Sequence, residues 1–415
     1  MSLPFDRLDP DTPPLQQNPL RRRLFTAAAA AVTGSLAVWP TLTLAGAAGP
    51  GANRFVLVIL RGGMDGLGAA PAVGDPDFAA ARGPLGQFGA PALRVDSTIS
   101  LHPNLVALHA MVASGEAAVV HAVGLPYRER SHFDAQQVLE SGGTRPYELS
   151  TGWLGRALTA SGHKGIALNT TVPLVLRGRA DVDTWAPSAL PDPSADLVAR
   201  LERMYVGDPA LATALERARR LHLDAPPPMQ DGPMGMTANG ARSGAFVTLA
   251  QRATDFLNQP SGPQVAVLEI GGWDTHANQA APNGALANGL RQLDAGLEAL
   301  RTGLASGGAW SRTVVVVASE FGREVAVNGT LGTDHGTGGV AFVLGGPVKG
   351  GPVVADWPGL ARGQRYEGRD LKITTDLRAV LKGVLAEHLQ IAMRVLDNEV
   401  FPGSERVRPL SLLRS

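Results

Sequence analysis

Four times along this chain a run of β-branched and other apolar residues breaks off into a loop that carries glycine. Uninterrupted runs of this kind suit strands buried on both faces, which is the signature of a parallel sheet covered by helices. Residues 54–60 lead into Arg61-Gly62-Gly63-Met64-Asp65-Gly66, and 117–123 lead into Gly124-Leu125-Pro126. Residues 264–270 lead into Gly271-Gly272-Trp273-Asp274, and 313–318 into Ser319-Glu320-Phe321-Gly322. A fifth run, 340–344, follows Asp334-His335-Gly336 and ends at Gly345-Gly346-Pro347. Between the runs lie helical patterns at 105–114, 133–141, 246–258 and 286–304; in the last, Leu290, Leu293, Leu297, Leu300 and Leu304 share one face. Strands alternating with helices predict an α/β fold, a doubly wound, mostly parallel sheet with helices on both faces. Ligands of such sheets bind beyond the carboxyl ends of the strands.

Composition narrows the chemistry. The chain has no cysteine, which excludes disulfide frameworks, thiolate zinc sites, iron–sulfur clusters and cysteine nucleophiles. Its 37 basic residues balance 37 acidic ones, so no electrostatic footprint for nucleic acid exists, and none is expected as a partner. No nucleotide-binding glycine fingerprint follows a strand.

Residues 18–48 run from a basic cluster through a modest apolar stretch to small residues, the order of an export signal. Arg21, Arg22 and Arg23 before Leu24 and Phe25 resemble the twin-arginine consensus, and Ala45-Gly46-Ala47 offers an A-x-A cleavage site. The apolar stretch 24–39 is 16 residues, short of the roughly 20 that span hydrocarbon. The expectation is therefore a twin-arginine-type signal peptide over 1–47 and one domain over 48–415, exported folded by the twin-arginine machinery to the periplasm or medium. No membrane span should remain after cleavage. Residues 141–244 leave room for a small cap or insertion, or for ordinary α/β connection. Within them 196–223 read as one arginine-rich helix, and 225–244 as a mobile Pro- and Gly-rich loop. Thr375-Asp376 read as the cap of a helix through His388.

Polar residues gather at the strand ends. Asp65, the pair Asp274 and His276, Glu320, and the pair Asp334 and His335 mix hard oxygens with imidazole, a donor set for a divalent cation such as Zn, Mn, Mg or Ca. Singly, each is as readily a turn residue; their concentration at one edge is what points to a site. Ser131, in Ser131-His132-Phe133-Asp134, falls at a helix N-terminus, where free N–H groups and the helix dipole favour an attacking oxygen and an anionic substrate. It is equally a common helix cap. Arg61, Arg128, Arg130 and Arg323 are candidate oxyanion-binding cations, with solvated surface as the plain alternative. His102, His109, His121, His163, His222 and His388 read as structural or surface residues, and Trp273 as packing or a pocket wall.

In order, Arg61-Gly62-Gly63-Met64-Asp65-Gly66, Arg130-Ser131-His132-Phe133, Gly271-Gly272-Trp273-Asp274-Thr275-His276, Ser319-Glu320-Phe321-Gly322-Arg323 and Thr333-Asp334-His335-Gly336 resemble the DUF1501 family of exported bacterial proteins over residues 52–403. That family in turn is similar to the alkaline phosphatase and sulfatase superfamily. The resemblance implies an alkaline-phosphatase-like fold with one or two metals beside a Ser or Thr nucleophile. Residue by residue it makes Asp65 a metal-bridging aspartate and Ser131 the nucleophile, with His132 able to ligate in its place. It assigns Asp274, His276 and His335 to one metal site, with Asp334 in the same motif. Where superfamily members carry Asp-His-Gly, this chain has Glu320-Phe321-Gly322; Glu320 can ligate and Phe321 cannot, which implies one metal site rather than two.

The function implied is an exported, metal-dependent hydrolase of phosphate or sulfate esters. An anionic small-molecule or polymer ester would be attacked by the Ser131 hydroxyl or by water on the metal, with His132 and Arg323 in catalytic roles and Arg61 and Arg130 holding oxyanions. The alternative is a non-catalytic periplasmic binding or assembly protein that keeps the fold and a structural metal.

Overall fold

Each of the five apolar runs is a strand of one eight-stranded sheet. The chain was studied as a computed structural model that describes residues 51–187, 193–224, 238–279, 283–351 and 353–414. Its strands are β1 (Arg54–Arg61), β2 (Leu93–Arg94), β3 (Ser100–Leu101), β4 (Ala117–Gly124), β5 (Gly165–Ala167), β6 (Val182–Thr184), β7 (Val265–Gly271), β8 (Thr313–Ser319), β9 (Gly339–Leu344) and β10 (Thr375–Asp376). The main sheet runs β10-β4-β9-β8-β1-β7-β5-β6, and β2 and β3 pair separately. β1 lies at its centre, parallel to both neighbours, with Phe55 level with Val265 of β7 and Val314 of β8.

Alternate residues of β1 enter two different cores, as a strand covered on both faces requires. Val56, Val58 and Leu60 pack with the helices Val106–Ala113, Ala238–Asn258 and Ala285–Ser306. Phe55, Leu57 and Ile59 pack with His132–Ser141, Trp153–Ser161 and Leu377–His388. The leucine stripe of Ala285–Ser306 is buried throughout, each side chain contributing about 1.5–3 kcal/mol. Asp376 caps Leu377–His388 through the Arg378 N–H.

β9 is antiparallel to both β8 and β4. Its amino end, Gly339, therefore lies at the carboxyl edge of its neighbours. This reversal delivers Asp334 and His335 to the edge that already carries the loops after β1, β4, β7 and β8.

Within 141–244, β5 and β6 are rungs of the main sheet, so their segment is α/β connection, one of the two arrangements expected there. Two other features of the stretch differ from expectation. The single arginine-rich helix is two, Ala195–Tyr205 and Pro209–Asp224. Proline disfavours helical backbone in the residue before it; Asp208 instead opens the second helix, its carboxylate accepting from the N–H groups of Ala210 and Leu211 at 3.0 and 3.1 Å. The loop expected at 225–244 gives way to helix from Ala238, while 225–237 lie outside the described residues. The signal segment 1–47 lies outside them too. No helix among the described residues is long and apolar enough to cross a membrane.

Candidate metal centre

Three imidazoles and one carboxylate converge at the carboxyl edge. Asp274 and His276 follow β7, His335 precedes β9, and His132 opens the helix after β4. The Nε2 atom of His335 lies 3.1 Å from that of His132 and 2.9 Å from that of His276. Asp274 Oδ1 lies 3.0, 3.1 and 3.4 Å from the Nε2 atoms of His276, His335 and His132. A tetrahedral metal with ligands at 2.0–2.2 Å sets them about 3.3–3.5 Å apart, and the separations of His132, His335 and Asp274 stand at or just inside that spacing, with His276 against the outer side of His335 and Asp274. Ligand atoms of His132, Asp274 and His335 all lie within 4.8 Å of one another.

What faces the other ring nitrogens decides the chemistry. His132 Nδ1 donates to Glu320 Oε1 at 2.8 Å, His276 Nδ1 to Asp334 Oδ1 at 3.2 Å, and His335 Nδ1 to the Arg130 carbonyl at 2.9 Å. All three partners only accept, which places each proton on Nδ1 and leaves each Nε2 lone pair facing the cluster. Lone-pair atoms at this range repel unless a cation, a metal ion or a proton, stands among them. Metal-binding histidines are held in this way, each ring fixed through its outer nitrogen.

The electrostatics agree. Glu320, through its hydrogen bond, raises His132 above the ordinary imidazole value against the pull of burial. Burial, with His132 and Arg323 nearby, lowers His335. Burial pushes the Asp274 carboxyl up, but the Arg323 hydrogen bond and charge overcome it and hold it below the usual range. Glu320 behaves alike, its burial outweighed by the bonds from His132, Gln136 and the Gly62 N–H. The Asn328 hydrogen bond, then His276, lowers Asp334.

Two glycines let the loop after β1 close on this cluster. Gly62 has φ +125° and a Cβ there would lie 2.6 Å from the Asp274 nitrogen; Gly63 has φ +63° and a Cβ would meet the Phe321 ring at 2.3 Å. The Phe321 ring packs on His132 and His335, with centroids 4.7 and 5.2 Å away. The residue that departs from the superfamily pattern thus forms an apolar wall of the cluster.

Glu320 and Asp334 contact the outer nitrogens of His132 and His276 rather than the converging atoms. Asp65 is buried against the Arg82 guanidinium and the Gln279 amide, away from the four converging atoms. His132 stands among the candidate ligands. Three of the four arginines expected to hold oxyanions are spent on carboxylates, and Arg128 donates to the Leu125 and Tyr127 carbonyls. Arg61 pairs with Glu140 at 2.9 Å and Glu269 at 2.6 Å, and Arg130 with Asp370 at 2.8 Å and Glu367 at 2.6 Å. Arg323, also buried, donates to Asp274 at 2.6 Å and to Thr333. Ser131 occupies the N-cap position with no side-chain cap bond. Its hydroxyl bears on the Tyr127 phenol, which donates to Asp134 at 3.1 Å; burial, then Asp134, raises that phenol while Ser131 lowers it. Trp273 is a packing residue, buried and donating to the Ile270 carbonyl at 3.0 Å.

Residues the sequence did not reveal complete the shell. Asn328 and Thr330 donate to the His276 carbonyl, Gln136 to Glu320 at 3.2 Å, and Arg369 to the His335 carbonyl at 2.9 Å. Asn328 and Thr330 share one loop, Arg369 comes from another and Gln136 from the helix that His132 opens, and none carries a motif; only the i,i+4 spacing of His132 and Gln136 on that helix is readable.

The model of the family described as "Protein of unknown function (DUF1501)" matches residues 110–399, well over half of the chain. The chain belongs to the DUF1501 family. The matched span contains Ser131 and all four converging residues and begins after Asp65 and Arg82. No curated protein matches this DUF1501 chain. Solved structures similar to it include the phosphonate monoester hydrolase of Agrobacterium radiobacter, at 12% identity and TM-score 0.39, covering 82% of this chain and 74% of that one. Another is the PsFucS1 sulfatase from Pseudoalteromonas sp., at 14% and 0.37, covering 73% and 64%. A third is a protein in the alkaline phosphatase superfamily from Vibrio parahaemolyticus, at 12% and 0.38, covering 73% and 62%. The chain thus spans less than two thirds of the length of the last two.

Proposed function

We propose that this DUF1501 protein is an exported, metal-dependent hydrolase of phosphate or sulfate esters. The observation that carries the proposal is the convergence of His132, His335 and Asp274, whose ligand atoms lie within 4.8 Å of one another, with His276 beside His335 and Asp274. Imidazole nitrogen outnumbers carboxylate oxygen there, which suits Zn and suits Mn, Mg or Ca less well, since those favour oxygen ligands. A divalent cation held there supplies Lewis acidity toward an ester oxyanion. The chain's own residues do the rest. His132, His276, His335 and Asp274 hold the ion, while Glu320, Asp334 and the Arg130 carbonyl fix the rings. Ser131 offers a hydroxyl one residue from His132, unspent as a cap, at the positive end of a ten-residue helix. With Arg61, Arg130 and Arg323 paired, the metal and that helix end are left to meet the charge of the ester. The Arg21-Arg22-Arg23 segment supports export by the twin-arginine route.

Elemental analysis of chelator-free protein, run with a panel of phosphate, phosphonate and sulfate esters, tests the proposal. About one metal per chain with turnover of at least one ester is expected; stoichiometric metal with no turnover would replace hydrolysis by a binding role. Ser131→Asp keeps a good capping residue and removes the hydroxyl, so turnover should fall by several orders of magnitude while the fold survives. Full turnover by folded, metal-loaded Ser131→Asp would remove Ser131 from the chemistry. For export, Arg21→Lys with Arg22→Lys should strand precursor in the cytoplasm; normal accumulation outside would exclude the twin-arginine route.

A further inference from the structure

Arg130 is a non-glycine residue in the left-handed region, with φ +61°. Such backbone costs free energy and persists where the surroundings over-determine it. Here they do: its guanidinium is gripped by Asp370 at 2.8 Å and Glu367 at 2.6 Å, and lies 5.9 Å over the Tyr366 ring. The turn aims the Arg130 carbonyl at His335 Nδ1, and the next two residues are Ser131 and His132. Residues 366–370 form a tight strap, with Tyr366 N–H donating to the Asp370 carbonyl at 2.9 Å and Asp370 N–H to the Tyr366 carbonyl at 3.0 Å. From the same strap, Arg369 donates to the His335 carbonyl at 2.9 Å while pairing with Glu324 at 2.8 Å. His335 is thus held from both sides, its ring through Arg130 and its backbone through Arg369. The Asp370 side chain, fully buried, touches both arginines.

We infer that the strap 366–370 is a positioning device for the metal centre, and that Asp370 is its principal positioning residue, setting His335 directly and Ser131 and His132 through Arg130. The inference rests on the metal reading of the cluster. It predicts that the strap governs metal affinity although none of its side chains reaches the four converging atoms.

The test is zinc affinity of the full exported chain, read by chelator competition, with the apo melting temperature and the visible spectrum of the cobalt-loaded protein. Asp370→Asn should weaken zinc binding about 10–100-fold, the range for lost outer partners of metal ligands, and alter the cobalt bands. Glu367→Gln, at the exposed end of the clamp, should weaken it less and keep the fold if Asp370→Asn does not. Leu300→Ala, in the core among the helices, should lower the melting temperature and leave zinc affinity unchanged, so a purely structural role cannot mimic the result. Wild-type affinity in both strap variants would overturn the inference alone. Failure of the wild-type protein to bind zinc would overturn the metal reading and the inference with it.

Discussion

Asp65 and Asp274 follow neighbouring strands, β1 and β7, at the same edge of the sheet, and they are completed in opposite ways. Asp65 is 1% exposed and its cation is built in, the equally buried guanidinium of Arg82, with the Gln279 amide as a further donor. Asp274 is 44% exposed, and its Oδ1 is shared between the buried Arg323 guanidinium at 2.6 Å and three imidazole nitrogens, so its one arginine serves a half-open cluster rather than a closed pair. Hydrogen bonds link the two: Thr275 and Thr333 both donate to Gln279 Oε1, and Arg323 donates to Thr333 and to Asp274. The difference teaches why one edge with this many carboxylates offers one open set of ligands. A carboxylate enclosed with its arginine is shut off from a further cation, whereas one left half open beside imidazoles is not.

The largest expected effect separates the two halves by stability. Asp65→Ala leaves Arg82 buried without its carboxylate, which should cost about 3–5 kcal/mol, a shift of roughly 150- to 5,000-fold in the folding equilibrium. Chemical denaturation of the apo protein measures it, and zinc per folded chain should stay unchanged. A stable Asp65→Ala protein that has lost its metal would make Asp65 a ligand and erase the contrast.

A different pattern is expected on the other side. Asp274→Ala leaves the buried Arg323 without its carboxylate, so apo stability should fall too, by less than in Asp65→Ala because Asp274 is half exposed and Thr333 still accepts from Arg323. Zinc affinity should fall by more than about 100-fold, beyond the range for outer partners. His335→Ala should weaken zinc binding alike. Wild-type zinc affinity in both variants would show that the converging atoms are an ordinary hydrogen-bonded cluster.

How much of this was legible follows the same division. The five long strands were readable because each is a run of apolar residues that no helix period explains, and all five ends came within two residues. β5, β6 and β10 are two or three residues long and are strands only because the sheet edge pairs with them. The antiparallel course of β9 left no local mark, yet it is what brings His335 to the site. The sequence carried the residue types of the site but not their order of approach: Glu320 and Asp334 look as much like ligands as Asp274 does, and only side-chain direction puts them behind the histidines. The arginines misled for a related reason. Their carboxylate partners, Glu140, Glu269, Glu367 and Asp370, lie up to 240 residues away along the chain, beyond the reach of any spacing rule.

Glu320→Gln tests one of those outer carboxylates and gives the pH dependence its sign. Gln still accepts from His132 Nδ1 but is neutral, so zinc affinity should fall by about tenfold. A proton competes with the metal for His132, and Glu320 raises that pKa, so wild-type affinity should already decline above the ordinary imidazole value of about 6.5 as pH drops. Without the carboxylate charge the decline should begin at lower pH. Identical pH profiles for the two proteins would detach Glu320 from His132.

The smallest effect belongs to Asp334→Asn. Its side chain is half exposed and holds His276 at 3.2 Å, and Asn328 shares the same oxygen. Water screens this pair far more than the buried Glu320–His132 pair, and Asn retains an accepting oxygen for His276 Nδ1. His276 is also steadied through its backbone by Asn328 and Thr330, so the ring loses one tether of several. Zinc affinity should therefore drop by no more than about tenfold, the low end for outer partners, and apo stability should stay within about 0.5 kcal/mol. Isothermal titration of zinc into the two variants side by side ranks them. Should Asp334→Asn lose more affinity than Glu320→Gln, Asp334 would be a ligand in its own right, and the open half of the edge would hold two carboxylates rather than one.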